Sequence, residues 1–127
     1  MKSQRVRIAV ATVSDKGLED SISHEFGHSK TFTIIDVEDG GVKSVEIIRN
    51  PAAVWWPCGR GLVVTNHLAN MGVNMVVSGE IGSGASTMLN ELGMGKVIVK
   101  PGQRVIDALK EKALVSLMTA SSKPNLL

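Results

Sequence analysis

Residues 6–13 carry apolar or small side chains on both alternating faces, with Val6, Ile8 and Val10 on one and Ala9 and Ala11 on the other. A strand of that kind is covered on both sides and sits centrally in a sheet. It stops at the turn cluster Ser14-Asp15-Lys16-Gly17. A long loop then runs to about Lys30, a length that compact domains usually reserve for function. Residues 31–37 are rich in β-branched side chains and read as a second strand. Glu38-Asp39-Gly40-Gly41 is a hairpin turn, because glycine takes positive φ at no steric penalty. Residues 42–48 alternate with more polar positions, the pattern of an edge strand.

After residue 60 the period changes. Val64, Leu68 and Met71 share one face of a helix over about residues 61–71, and Gly72 follows as its cap. Residues 75–78 form a fourth strand. A glycine-rich turn, 79–84, leads into a second helix with Ala85, Met88, Leu89 and Leu92 on one stripe and Gly93 after it. Residues 96–99 make a fifth strand. Pro101-Gly102 precedes a third helix, striped by Val105, Ile106, Leu109 and Ala113. The order is β-β-β-α-β-α-β-α. If the second strand runs against the first, the third runs with it, and right-handed crossovers make strands four and five parallel neighbours. Loops 14–30, 49–60 and 79–84 then meet at one sheet edge, where open α/β sheets bind ligands.

Composition narrows the classes. At 127 residues the chain is one domain, read as residues 1–117 with 118–127 as a flexible tail. Aromatics are only 3%, so the core is aliphatic and the base-stacking platforms of single-strand binders are missing. A net charge of +2 without a basic run argues against nucleic acid. No stretch approaches the apolar length of a membrane span, and no secretory leader is read. One cysteine excludes an internal disulfide and a multi-cysteine zinc site. The expectation is a soluble, cytoplasmic protein.

The predicted edge gathers the chemistry. Cys58-Gly59-Arg60-Gly61 precedes the first helix, where the helix dipole favours a thiolate and the glycines expose backbone N–H groups to anions. The plainer alternative is a small buried cysteine in a glycine turn. Gly79, Gly82, Ser83 and Gly84 repeat the arrangement before the second helix, with no Walker-type lysine, and a simple strand-to-helix turn explains them as well. His24 and His28 stand four apart with Glu25 between them, as metal ligands if the loop folds over the site or as solvated histidines if it does not. His67 lies inside the first helix and reads as a partly buried or surface residue rather than a ligand. Trp55 and Trp56 read as a lid, a sheet-end cover or a dimer contact. A hydrolytic reading would need Asp15 and Glu80 to meet, and no serine sits in a nucleophile elbow.

These residues resemble the dinitrogenase iron–molybdenum cofactor biosynthesis family, the NifX/NafY-like carriers and their stand-alone relatives. The matching pieces are Arg7-Ile8-Ala9-Val10, Phe26-Gly27, Ile34-Ile35-Asp36-Val37-Glu38-Asp39-Gly40, Glu46 to Pro51, Gly59-x-Gly61, and Gly72-Val73-Asn74-Met75-Val76-Val77-Ser78-Gly79 with Ile81-Gly82. They span about residues 5–115. The resemblance implies a three-layer α/β/α ribonuclease H-like fold with a five-stranded mixed sheet, order 3-2-1-4-5, strand two antiparallel. It also implies an iron–sulfur or iron–molybdenum type cluster carried as cargo between donor and acceptor proteins, without enzymatic turnover. Many relatives have His-Phe-Gly-Arg where this chain has Glu25-Phe26-Gly27-His28. Many have His-Gly-x-Gly where it has Cys58-Gly59-Arg60-Gly61.

A conventional [4Fe–4S] cluster takes about four cysteine ligands. With one, a monomer needs histidine or non-protein ligands, or a homodimer shares the cluster. The leading expectation is therefore a cluster carrier or store with Cys58 as first ligand and His24 or His28 as auxiliary. Gly59, Arg60, Gly61, Gly79, Gly82, Ser83 and Gly84 would form the cradle. The alternative is a module binding a phosphorylated small molecule at the same two helix N-termini without metal.

Overall fold

The computed structural model describes residues 5–52 and 59–111. Among them the chain runs β1 (Arg5–Thr12), a 3₁₀ turn (Gly17–Glu19), β2 (Thr31–Glu38), β3 (Gly41–Arg49), α1 (Arg60–Asn70), β4 (Met75–Ser78), α2 (Ser83–Glu91), β5 (Gly95–Ile98) and α3 (Val105–Leu109). The five strands form one sheet in the order β3-β2-β1-β4-β5. β1 is antiparallel to β2 and parallel to β4, so Val10 pairs with Thr33 on one side and Val77 on the other. β2 and β3 are antiparallel, and β4 and β5 are parallel. The mixed sheet and its order are those the resemblance implied.

Alternation along the strands divides the interior in two. Val6, Ile8 and Val10 of β1, Ile35 and Val37 of β2, and Met75 and Val77 of β4 pack with Val105, Ala108 and Leu109 of α3. Ala9, Ala11, Phe32, Ile34 and Val76 point the other way, against Val64 and Leu68 of α1 and Ala85 and Leu89 of α2. Each fully buried Ile, Leu or Val contributes about 1.5–3 kcal/mol through loss of water-exposed apolar surface. Two small alanines on the α1–α2 side let two helices and the Phe26–Phe32 edge-to-face pair (centroids 5.5 Å apart) approach the sheet together.

The hairpin turn is Asp39-Gly40, with φ of 52° and 83°, a two-residue loop whose backbone twist matches that of the strands it joins. β3 is an exposed edge strand, as its polar alternation predicts. The segment after β1 departs from expectation. It is a packed arm, with Ile22 and Phe26 each only 1% exposed. Isolated bridges tie Ile22 to Thr12, Ser21 to Arg104 and Glu25 to Glu80. Asp20 organises its start. This buried carboxylate accepts hydrogen bonds from the backbone N–H groups of Ser14, Lys16 and Ser21 and from the Ser14 hydroxyl. Local periodicity carries no trace of such bonds. The expected tail at 118–127 and Ala113 of the third helix lie outside the described residues.

Candidate functional site

β1, β3, β4 and β5 all run one way, so their carboxyl ends share an edge, and the chain departs in opposite directions after β1 and β4. The crevice outside that switch point is where ligands enter such sheets. It holds a cavity of about 450 Å³ lined by Glu25 to His28, Gly59 to Leu62, Glu80 and Gly82 to Ala85.

Two helices begin at this cavity. α1 is preceded by Gly59 at φ 82°, a left-handed position that side chains resist. α2 is preceded by Gly82 in extended conformation. Neither N-cap residue makes a side-chain hydrogen bond to its helix. The first turn of any helix has N–H groups with no intrahelical partner, and the aligned peptide dipoles place about half a positive charge there. Both effects converge on one hollow.

Close approach of backbone builds its walls. A Cβ on Gly79 would lie 2.6 Å from the His24 carbonyl and 2.9 Å from that of Ser23. The Gly79 and Glu80 N–H groups donate to those same two carbonyls, Gly79 to Ser23 and Glu80 to His24, and Phe26 N–H donates to the Glu80 carbonyl. A Cβ on Gly61 would meet Ala85 Cβ at 2.9 Å, and one on Gly27 would come within 3.0 Å of Gly61 N. Gly27, Gly61 and Ala85 thus form a column of small residues between the two helix starts. Gly82 differs, since a Cβ there meets nothing within 4 Å.

Asn50 is the positioning residue that sequence reading missed. It is 4% exposed; its Nδ2 donates to the carbonyls of Gly27 (3.1 Å) and Ser29 (2.7 Å), and its Oδ1 accepts from Ala52 N–H (2.8 Å). It clamps the turn that bears His28. An asparagine ahead of Pro51 was the available signal, legible only as a strand end.

The predicted site residues part company. Gly59, Arg60, Gly61, Gly82, Ser83 and Gly84 all line the cavity. Gly79 is spent on chain packing instead. His28 lines the cavity, with Nδ1 3.4 Å from Arg60 Nη1. His24 stands apart from it, with Nδ1 3.7 Å from Glu80 Oε2 and Glu25 in the same group. His67 is an exposed residue of α1. Asp15 lines a neighbouring cavity of about 730 Å³ whose walls do not include Glu80. Cys58, Trp55 and Trp56 lie outside the described residues.

Comparison with known proteins agrees with this fold. An uncharacterised protein of Methanocaldococcus jannaschii is 36% identical over 73 residues, 58% of this chain; the match spans 61% of that relative's length. A Thermotoga protein described as NifB-like and assigned to the DUF35 family superposes with a TM-score of 0.66 at 28% identity, over 84% of this chain and 89% of that one. The apo orange protein of Desulfovibrio gigas shares the fold, with a TM-score of 0.72 at 24% identity, over 82% and 83% of the two chains. No helix among the described residues is long and apolar enough to cross a membrane. Residues 5–113 match the dinitrogenase iron-molybdenum cofactor family. The chain therefore belongs to that family, and its role is related to a metal cofactor.

Proposed function

We propose that this protein binds an iron–sulfur or iron–molybdenum type cluster and carries or stores it as cargo between donor and acceptor proteins in the cytoplasm, without turnover. The observation that carries this reading is the convergence of two helix N-termini, neither capped by a side chain, on one cavity of about 450 Å³. Sulfide-bridged clusters with thiolate ligands are anionic, and helix N-termini favour anions through backbone donors and dipole together. Cys58 is joined directly to Gly59 of the cavity wall and is the thiolate assigned to the cluster. His28 is the imidazole on that wall, and Arg60 adds cationic charge beside it. A single protein thiolate suits a cargo that must leave, held by one copy or shared by two.

Anaerobic loading with iron and sulfide tests this. Wild type is expected to retain a coloured, iron-bearing species that Cys58→Ser loses. Equal loading of both would remove Cys58 from the site and leave His28 as the protein ligand. The same amides also suit a phosphorylated small molecule. If neither protein takes up a simple or a preformed cluster, and a phosphorylated ligand protects the 59–61 and 83–85 amides from exchange equally in both, that second reading prevails.

A further inference from the structure

A groove of about 730 Å³ adjoins the cavity between the helix starts and shares His28 and Arg60 with it. Val13, Ile47 and Ile48 give the groove apolar walls. Lys30, Arg49 and Arg60 line it as cations, against one carboxylate, Asp15. Backbone fixes the placement of two of those cations. Arg49 pairs with Thr31 across the β2–β3 ladder, and the Asn50 N–H donates to the Lys30 carbonyl. Lys30 and Arg49 are therefore neighbours where the two strands meet the groove.

These cations differ from the arginines elsewhere on the molecule. Arg5 pairs with Glu38, Arg7 with Asp36, and Arg104 with Glu19 and Asp107. Among the described residues, Lys30 and Arg49 have no carboxylate within 4.0 Å. The whole chain carries only +2, so three cations against one acid is a local concentration rather than general basicity. Apolar surface stands beside them, with Val13 43% and Ile47 38% exposed. A small-molecule pocket closes its apolar walls around most of the ligand. Apolar side chains left open to water beside a charged rim are instead the anatomy of a protein interface.

We propose that this groove docks an acidic, extended segment of a partner protein. Its carboxylates would meet Lys30, Arg49 and Arg60, and its apolar side chains would cover Val13 and Ile47. Facing potentials of opposite sign steer the encounter and fix its register, while burial of the apolar side chains holds the complex. The groove shares His28 and Arg60 with the cavity between the helix starts, so a segment seated there lies at the mouth of that cavity. That the partner exchanges cargo rests on the proposed function. The docking surface does not, since it uses neither Cys58 nor the helix amides.

The test uses cluster-free full-length protein and a short dye-labelled peptide that alternates glutamate and leucine, followed by fluorescence anisotropy. Saturable binding is expected, weakening as added salt shortens the reach of the charges. A peptide with glutamine in place of glutamate should bind about tenfold more weakly or worse. The double variant Lys30→Glu with Arg49→Glu should lose about tenfold or more in affinity, and Val13→Ser about threefold. Lys43→Glu with Lys110→Glu changes net charge equally at two exposed sites outside the groove and should stay within about twofold of wild type. The substituted side chains are exposed, so the variants should fold, with circular dichroism as the check. In wild type, the peptide should shift the amide resonances of 13–15 and 47–49. No binding, equal loss in the two double variants, or equal affinity for the glutamine peptide would each overturn the assignment. So would inorganic phosphate alone, if it displaced the peptide and shifted the same amides, because the groove would then be a small-anion site. Failure here leaves the cluster reading standing, since sulfide-dependent colour judges that separately.

Discussion

The two ends of the sheet hold cavities of nearly the same size and opposite character. The hollow of about 480 Å³ at the amino end of β1 is lined by Arg5, Arg7, Asp36, Glu38, Lys43 and Asn74. Four of its charges answer one another in two pairs. Arg7 Nε is 2.7 Å from Asp36 Oδ1, Ser44 donates to the same carboxylate, and Arg5 lies 3.6 Å from Glu38. The hollow of about 450 Å³ at the carboxyl end is walled mainly by backbone, with glycines wherever two segments touch and two helix starts facing inward. Volume therefore does not mark the site. A surface whose ions are paired with each other has little left for a ligand, whereas helix N-termini without side-chain caps keep donors for one.

The sharpest way to break the carboxyl end is Gly79→Ala. The added methyl would sit 2.6 Å from the His24 carbonyl, and backbone on both sides leaves it nowhere to move. Overpacking of that kind costs about 3 kcal/mol. The expected result is a lower denaturant midpoint and faster amide exchange at Glu80 and Phe26, whose N–H groups bridge the two segments. Retention of wild-type stability would mean that the 23–26 arm is loosely held and that the cavity wall is not preformed.

Asn50→Ala comes next. It deletes the clamp on the His28 turn and leaves the part-buried Gly27 carbonyl, the buried Ser29 carbonyl and the Ala52 N–H without their side-chain partner. About 2 kcal/mol of stability should be lost, read by chemical denaturation. Cluster loading should fall as well, because His28 is no longer held against the cavity. The matching truncation at the amino end, where Asn74 is exposed to water, should cost less.

What the sequence made legible follows from where each signal lives. The division of β1 between Val6, Ile8, Val10 and Ala9, Ala11 was readable because strand alternation is a local property. So were the Asp39-Gly40 turn and the edge position of β3. The hold of Asp20 and Asn50 was not: Asp20 gathers nearby N–H groups in an irregular loop that has no periodicity to read, and Asn50 acts on carbonyls of Gly27 and Ser29 that the fold brings from elsewhere. His24 and His28 show the same limit. A spacing of four suggests a shared face only on a helix; here the backbone is bridged at Glu25 and buries Phe26, and the two rings part, one to Glu80 and one to Arg60. Gly79 and Gly82 read alike in sequence, yet one is needed for packing and the other is open.

Asp36→Asn probes the amino end with a smaller effect. The hydrogen bond from Arg7 is the main reason the Asp36 carboxyl sits below its ordinary value, with Ser44 adding to it against the opposing pull of desolvation. A carboxyl that binds protons less readily when folded than when unfolded stabilises the fold above its unfolded pKa. That contribution is lost as pH falls through the lowered folded value. Both partners are more than a third exposed, so the pair is worth well under about 1 kcal/mol near neutrality. Wild type should exceed the variant slightly at pH 7, and the two should converge as pH falls through the lowered folded value. Asp107, held low by Arg104, preserves some acid sensitivity in both. Cluster loading should not change, since the proposed site lies at the other end of the sheet.

Gly82→Ser has the smallest effect on stability and the most pointed consequence for the comparison. Gly82 has φ −60° and ψ 156°, an extended conformation that suits a serine N-cap, and its missing Cβ faces open space. A serine hydroxyl there would accept a hydrogen bond from the second or third N–H of α2, those of Gly84 and Ala85, and should raise stability by a few tenths of a kcal/mol relative to glycine. Those are the donors that the cargo reading needs. The variant should therefore melt slightly later than wild type and load less cluster, whereas Gly79→Ala should melt earlier and load less. A rise in stability with undiminished loading would show that the α2 amides do not hold the cargo, and would shift the site to the α1 side of the cavity, at Gly59 to Gly61 and His28.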